Sequence, residues 1–451
     1  MTGKANIVLA MSLVIVNVIA HANEPAQPHA GLLTLYTRAL EHDPELQAAA
    51  AARQAGREAL PQARSGLLPS ISFSAEHARF ERRNSSVGSA RLAQDSHYSR
   101  QALQATLAQP IVDLQAWHQY LAGTHQFQQA NAQYHNSVQA LGERLIESYF
   151  RVLRAQSKLA TRQAEQEAVH RQQNQVQQQL QAGIASRIDV LEVMAESSRL
   201  AVTTVRAKSE LRQSIRALER ITGESVSNVL PLQQIPTQLE LGTITALSAR
   251  ARSNNPRLLL ARYQTRTSEQ NARAASAAHL PTLSLEINTQ RSISGADATA
   301  PGADHLRTDT TGVALRLEMP IFSGGRTSSR DREATHLLDQ SRQRYRQVRG
   351  EVLSELTSTV ETLNAQRKAI DAATHALFAQ EAALQAAEKG RGAGVRDLVD
   401  ILRARREQFA AVDVLNDAKY EYITTLARLY RLTGDLNHKS IRKLNDWLAT
   451  Q

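Results

Sequence analysis

Apolar and polar residues alternate strictly over four short stretches of the chain. In the first, Ile71, Phe73 and Ala75 fall on one side and Ser70, Ser72, Ser74 and Glu76 on the other. Leu103, Ala105 and Leu107 oppose Gln104 and Thr106 in the second, and Leu283, Leu285 and Ile287 oppose Thr282, Ser284, Glu286 and Asn288 in the third. The fourth sets Val313, Leu315, Leu317 and Met319 against Gly312, Ala314, Arg316 and Glu318. A period of two is that of a β-strand with one dry and one wet face. Elsewhere the period lengthens. Val138, Leu141, Leu145, Tyr149 and Val152 recur at steps of three and four, as do Leu353, Leu356, Val360 and Leu363. This spacing predicts helices with a coiled-coil seam. The prolines leave room for great length: none lies between Pro110 and Pro231, and none follows Pro320. A proline inside a helix destabilises it by about 3 kcal/mol. An uninterrupted helix from Ile111 to Ala182 would be about 110 Å long.

These stretches occur twice in one order. His42-Asp43-Pro44-Glu45-Leu46 returns 212 residues later as Asn254-Asn255-Pro256-Arg257-Leu258, and Leu68-Pro69-Ser70 returns at the same offset as Leu280-Pro281-Thr282. Gln109-Pro110-Ile111 matches Met319-Pro320-Ile321 at 210 residues. Arg187-Ile188-Asp189-Val190-Leu191 matches Leu398-Val399-Asp400-Ile401-Leu402 at 211, and Arg220-Ile221-Thr222-Gly223 matches Arg431-Leu432-Thr433-Gly434 at 211. An internal two-fold repeat follows. The first repeat covers 23–223, with strands at about 69–80 and 98–109 and helices at about 111–182 and 186–222. A linker spans 224–246. The second repeat covers 247–434, with strands at about 281–291 and 309–319 and helices at about 321–389 and 395–433, and 435–451 form a C-terminal tail. Each repeat opens with a short helix before its strands.

The strands have the length of membrane-crossing ones, about 9–11 residues. The loops between them, 81–97 and 292–308, are polar and rich in Gly, Ser and Asp. Four strands cannot close a barrel, and every open edge in lipid leaves backbone groups unpaired at several kcal/mol each. Copies must therefore share one. Two chains would give eight strands around packed side chains; three would give twelve around a lumen. The wet inward faces favour three.

Composition narrows the function. The 451 residues include no Cys, which excludes a disulfide scaffold, Cys-ligated zinc, an iron–sulfur cluster, a Cys nucleophile and a lipid-modified Cys. Lys and Arg number 53 against 43 Asp and Glu, a net charge of +10. These charges alternate with Glu and Gln along helices and do not cluster with aromatics, so no nucleic-acid partner is expected. Met1–Ala22 reads as a signal peptide: Lys4, an apolar run of 14 residues from Ile7 to Ala20, and Ala20-His21-Ala22 as a cleavage site. The 14 histidines form no HExxH pattern. Gly390-Arg391-Gly392-Ala393-Gly394 follows a helix, the opposite context to a phosphate-binding loop. Neither metal, cofactor nor enzymatic activity is expected.

The duplicated strand–strand–helix–helix unit resembles the TolC-like outer-membrane factor family. So do Pro320-Ile321-Phe322-Ser323-Gly324-Gly325-Arg326 at a strand-to-helix junction and the two helix-turn tips, 182–190 and 394–402. The resemblance implies an α+β membrane protein: a 12-stranded trimeric β-barrel, four strands per protomer, continuous with a long α-helical coiled-coil barrel. It implies a homotrimer in the outer membrane of a Gram-negative bacterium, in contact with its lipid and extending into the periplasm. There a periplasmic adaptor (membrane fusion) protein and an inner-membrane ABC or RND pump would dock, for type I protein secretion or multidrug efflux. The other reading of the residues is a periplasmic coiled-coil scaffold without channel activity.

The resemblance also implies site residues. Asp400 falls on the ring that narrows the periplasmic entrance, and Arg403 stands where the family archetype has a second Asp. Arg391 stands where it has a Tyr that tethers the closed state. Asp189 occupies the matching region of the first repeat. Asp400, Asp189, Arg403 and Arg396 are the expected gate, with Asp400 either repelling its copies or pairing with Arg403 or Arg396. The tips Ala182, Gly183, Ile184, Ala393, Gly394 and Val395 are the expected adaptor-docking points.

Overall fold

The computed structural model describes residues 31–82, 96–233, 235, 242–295 and 306–449. The expected signal segment Met1–Ala22 lies outside the described residues, as do most of both inter-strand loops and part of the linker.

Helices α1 (Leu32–His42) and α2 (Pro44–Arg57) are separate because Asp43-Pro44 interrupts them. Proline cannot continue the α1 hydrogen-bond ladder, and the Asp43 carboxylate accepts from the Leu46 N–H at 2.9 Å, capping α2. Helix α3 (Ala59–Ser65) leads to the sheet. In the second half, Asn255-Pro256 divides α6 (Ile244–Asn254) from α7 (Pro256–Ala277) in the same way, with the Asn255 side chain accepting from the Arg257 and Leu258 N–H groups. Where one short helix is expected before each strand pair, the chain has three and then two.

Strands β1 (Ser70–Arg82), β2 (Ser96–Val112), β3 (Thr282–Ser294) and β4 (Leu306–Glu318) form one antiparallel sheet in chain order. β1 and β4 are its outer strands, and among the described residues nothing pairs with their free edges. The apolar face is bare: Ile71 is 76% exposed, Phe73 70% and Leu317 70%. No helix of the described residues is long and apolar enough to cross a membrane.

Two helix starts differ from expectation. β2 runs past 109 to Val112, which pairs with Leu283, and the register shifts between Pro110 and Val112. That irregularity accommodates a proline with no N–H to donate. The helix expected from 111 therefore begins as α4 (Leu114–Gln181), capped by Asp113 accepting from the Ala116 N–H at 2.8 Å. Gly324 and Gly325 sit at φ of 64° and 81°, a left-handed pair that cannot be helical. The helix expected from 321 accordingly begins as α8 (Arg326–Gly392).

With 68 and 67 residues, α4 and α8 are each about 100 Å long. They turn back into α5 (Arg187–Thr222) and α9 (Leu398–Thr433). These four pack in the order α5, α4, α9, α8, and α7 also packs between α4 and α8, with α2 and α3 against α4.

The main core lies partway down this layer. Leu141, Leu145 and Tyr149 of α4 share it with Leu356 and Leu363 of α8 and Ile423 and Leu426 of α9. The residues expected as a tail contain α10 (His438–Asn445), whose Ile441 and Leu444 are fully buried in that core. Just beyond it, Leu448 bridges to Leu232 and so ties down the segment joining the halves.

Candidate functional site at the helical tips

Each long hairpin turns through a glycine in the left-handed region. After α4, Gly183 has φ of 72° and the Ile184 N–H donates to the Gln179 carbonyl at 2.8 Å. After α8, Gly394 has φ of 75° and the Val395 N–H donates to the Gly390 carbonyl at 3.0 Å. Both turns satisfy carbonyls left over by the ending helix and leave the next side chain in water. Ile184 is 77% exposed and Val395 76%, so both tips present a bare apolar residue beside Ala182 and Ala393.

The two tip aspartates do different work. Asp189 closes a capping box: its carboxylate accepts from the Ser186 N–H at 2.9 Å, and its own N–H donates to the Ser186 hydroxyl at 3.1 Å. At the other tip Asp397 takes the capping role, accepting from the Asp400 N–H at 2.8 Å. The Asp400 carboxylate is thereby free to pair with Arg396 at 3.3 Å. Of the two partners expected for Asp400, the structure brings Arg396 to it. Arg403, one turn further along α9, is exposed and makes no ion pair among the described residues.

Above the tips, a cavity of about 550 Å³ lies between α4, α8 and α9. Arg405 crosses it, donating to the Glu388 carboxylate at 2.9 Å and the Ala168 carbonyl at 3.3 Å. Higher still is an ionic cluster that sequence reasoning missed. Arg162 of α4 binds both Glu165 and Asp413 of α9, while Glu196 of α5 takes Arg199 at 2.5 Å and Arg406 of α9 at 3.1 Å. Burial pushes the Glu165 carboxyl up against the opposing pull of Arg162. The Arg199 hydrogen bond holds Glu196 below the usual carboxylate range. Arg162 and Glu165 are legible as a helical i,i+3 pair; partners 251 residues away are not. Among the described residues, no three His, Asp or Glu side chains gather so as to hold a metal ion.

An open-edged sheet with a bare apolar face, set above two helical hairpins about 100 Å long, fits a protein that enters a membrane as strands. The family model for "Outer membrane efflux protein" matches residues 35–224 and again 247–435. The chain belongs to that family. It is similar to the outer membrane protein TolC of Vibrio cholerae, at 28% identity over 92% of this chain and 93% of that protein. It is also similar to the alkaline protease secretion protein AprF of Pseudomonas aeruginosa, at 28% identity over 91% of this chain and 86% of that one. Among solved structures, the outer membrane protein VceC of Vibrio cholerae shares the fold, with a TM-score of 0.74 at 16% identity, covering 89% of this chain and 96% of that one. The protein is an outer-membrane exit duct of a Gram-negative bacterium and not an enzyme.

Proposed function

We propose that three copies pool their strands into one twelve-stranded barrel in outer-membrane lipid and their long helices into a tunnel below it. The observation that carries this is the pair of free edges on β1 and β4, which lipid does not tolerate. An internal duplication is supported by the twice-matched family model and by the same order of elements in both halves. Its boundaries are those of the sequence: 23–223, a linker at 224–246, 247–434 and the C-terminal residues.

The duct is passive and takes its substrate from a periplasmic adaptor and an inner-membrane ABC or RND pump. Ile184 and Val395, bare at the tips beside Gly183 and Gly394, are the docking points for the adaptor. Alignment with a protease secretion protein along most of both chains supports protein cargo of the type I kind, with multidrug efflux as the other cargo.

At the entrance, Asp400, Arg396, Arg403 and Asp189 form a mixed-charge gate. Arg396 offsets Asp400 and Asp189 is committed to its capping box, while Arg403 adds a positive charge per subunit. Such a ring prefers cations less than an acidic ring would. In planar bilayers, Asp400→Ala is expected to lower the cation-to-anion permeability ratio and Arg403→Ala to raise it, each by roughly twofold at low salt. An unchanged ratio in Asp400→Ala contradicts the gate, and an absence of conductance in the unaltered protein contradicts the duct.

A further inference from the structure

The apolar alternation of the sheet stops before the strands do. On the outward face it ends at Ala75 on β1, Leu103 on β2, Ile287 on β3 and Val313 on β4. Counting on by twos toward the inter-strand loops, that face carries His77 and Arg79 on β1, then Gln101 and Ser99 on β2. It carries Thr289 and Arg291 on β3 and Thr311, Asp309 and Arg307 on β4, with Ile293 the one apolar residue among them. The ladders are unbroken over these residues, and the one register shift lies at Pro110–Val112. We infer that this rim binds the phosphate groups of a phosphorylated lipid headgroup in the outer leaflet, through Arg291, Arg307 and Arg79. The inference rests on the barrel proposed above.

The depth of the rim fits such a ligand. Arg79 and Arg291 each stand four residues past the last apolar side chain of their strand, about 13 Å along it. At the tilt of about 40° usual in membrane barrels, that is about 10 Å above the apolar band. Arginine is disfavoured on the lipid side at the bilayer midplane and tolerated at the interfaces. Its long stem lets the guanidinium reach down to headgroup depth. The helical part extends into the periplasm, so the loop end of the sheet is in the outer leaflet. In the proposed barrel neighbouring subunits pair in the plane of the sheet, so this face stays toward lipid.

The arginines are positioned for an anion. The Arg291 Nε–H donates to one Asp309 carboxylate oxygen at 2.6 Å and the Arg307 Nε–H to the other at 3.1 Å. A guanidinium has more N–H donors than a carboxylate has acceptor positions, and here two guanidiniums share one carboxylate. Asp309 therefore orients the pair and leaves donors and a positive charge over. A planar guanidinium matches two phosphate oxygens at once. The inward face of the same sheet is balanced by contrast, with Arg316 meeting Glu286 one to one at 2.8 Å. Arg79 makes no ion pair among the described residues. With Glu81 beyond it counted, the rim carries three arginines against two carboxylates per chain, and a trimer triples the excess.

Titration of diphosphoryl lipid A into the full-length protein in a neutral detergent, followed by native mass spectrometry, tests the rim. Arg291→Gln with Arg307→Gln is expected to weaken binding roughly twentyfold, and Arg79→Gln about fivefold. Arg316→Gln removes the same charge from the inward face and is expected to leave binding unchanged. Removing one phosphate from the lipid is expected to weaken its binding to the unaltered protein several-fold. Undiminished binding in the double variant or of the lipid short of a phosphate overturns the proposal. So does an equal loss in Arg316→Gln, or displacement of the lipid by an equal concentration of inorganic phosphate. Entry of each variant into phosphatidylcholine vesicles shows that it has folded. An unaltered protein that stays outside the vesicles as single chains overturns the barrel instead.

Discussion

Gly434→Ala is expected to destabilise the protein by about 3–5 kcal/mol, near the upper end for a single substitution. Gly434 ends α9 at φ of 77°, where any other residue is strained by about 1–2 kcal/mol. A Cβ there would also stand 2.4 Å from the Asn254 carbonyl oxygen and 2.6 Å from its carbon. Neither helix can withdraw, because the buried Asn255 side chain next door donates to the Leu432 carbonyl at 2.9 Å and pins α6 to α9. Gly394→Ala provides the control. Its φ is 75° but nothing lies within 4 Å of its Cβ position, so only the conformational cost of about 1–2 kcal/mol applies. Thermal unfolding in detergent measures both, and equal shifts would show that packing at the α6–α9 junction is looser than described.

Arg162→Ala is expected to be of similar size. Among the described residues the guanidinium is the one cation that binds both Glu165, 1% exposed, and Asp413. Without it Asp413 has no cation among the described residues and Glu165 keeps only Arg199 at 3.6 Å, a loss of about 3–5 kcal/mol. Replacing the group together, as Arg162→Met, Glu165→Leu and Asp413→Leu, is expected to recover most of that loss, because an apolar set of similar volume needs no counter-charge. Chemical denaturation distinguishes the two. Should the triple variant be as unstable as Arg162→Ala, the helices depend on the cluster for more than charge balance.

The strands were readable because each carries its own alternation, whereas the division of the opening helices at Asp43-Pro44 and Asn255-Pro256 went unread although both dipeptides are local signals. Both tip turns were readable from local signals, Gly183 and Gly394. The rest of what escaped was decided by partners distant in sequence. Pro110 reads as the end of a strand, yet β3 lies alongside and carries β2 on to Val112. Helix α10 has few apolar residues of its own. It is held by α1, whose Leu33 N–H donates to the Asn445 side chain at 3.2 Å across 412 residues. Its capping pair, Asn437 and Ser440, was the one local clue. The choice of Arg396 over Arg403 for Asp400 also depended on a detail of local geometry, the capping of α9 by Asp397.

The number of chains per particle bears most directly on the duct. Light scattering of the purified protein in detergent, corrected for bound detergent, measures it, with single-channel recording on the same sample. The proposed twelve-stranded barrel requires three chains and a conducting pore. A single chain that neither conducts nor stays with the membrane contradicts it.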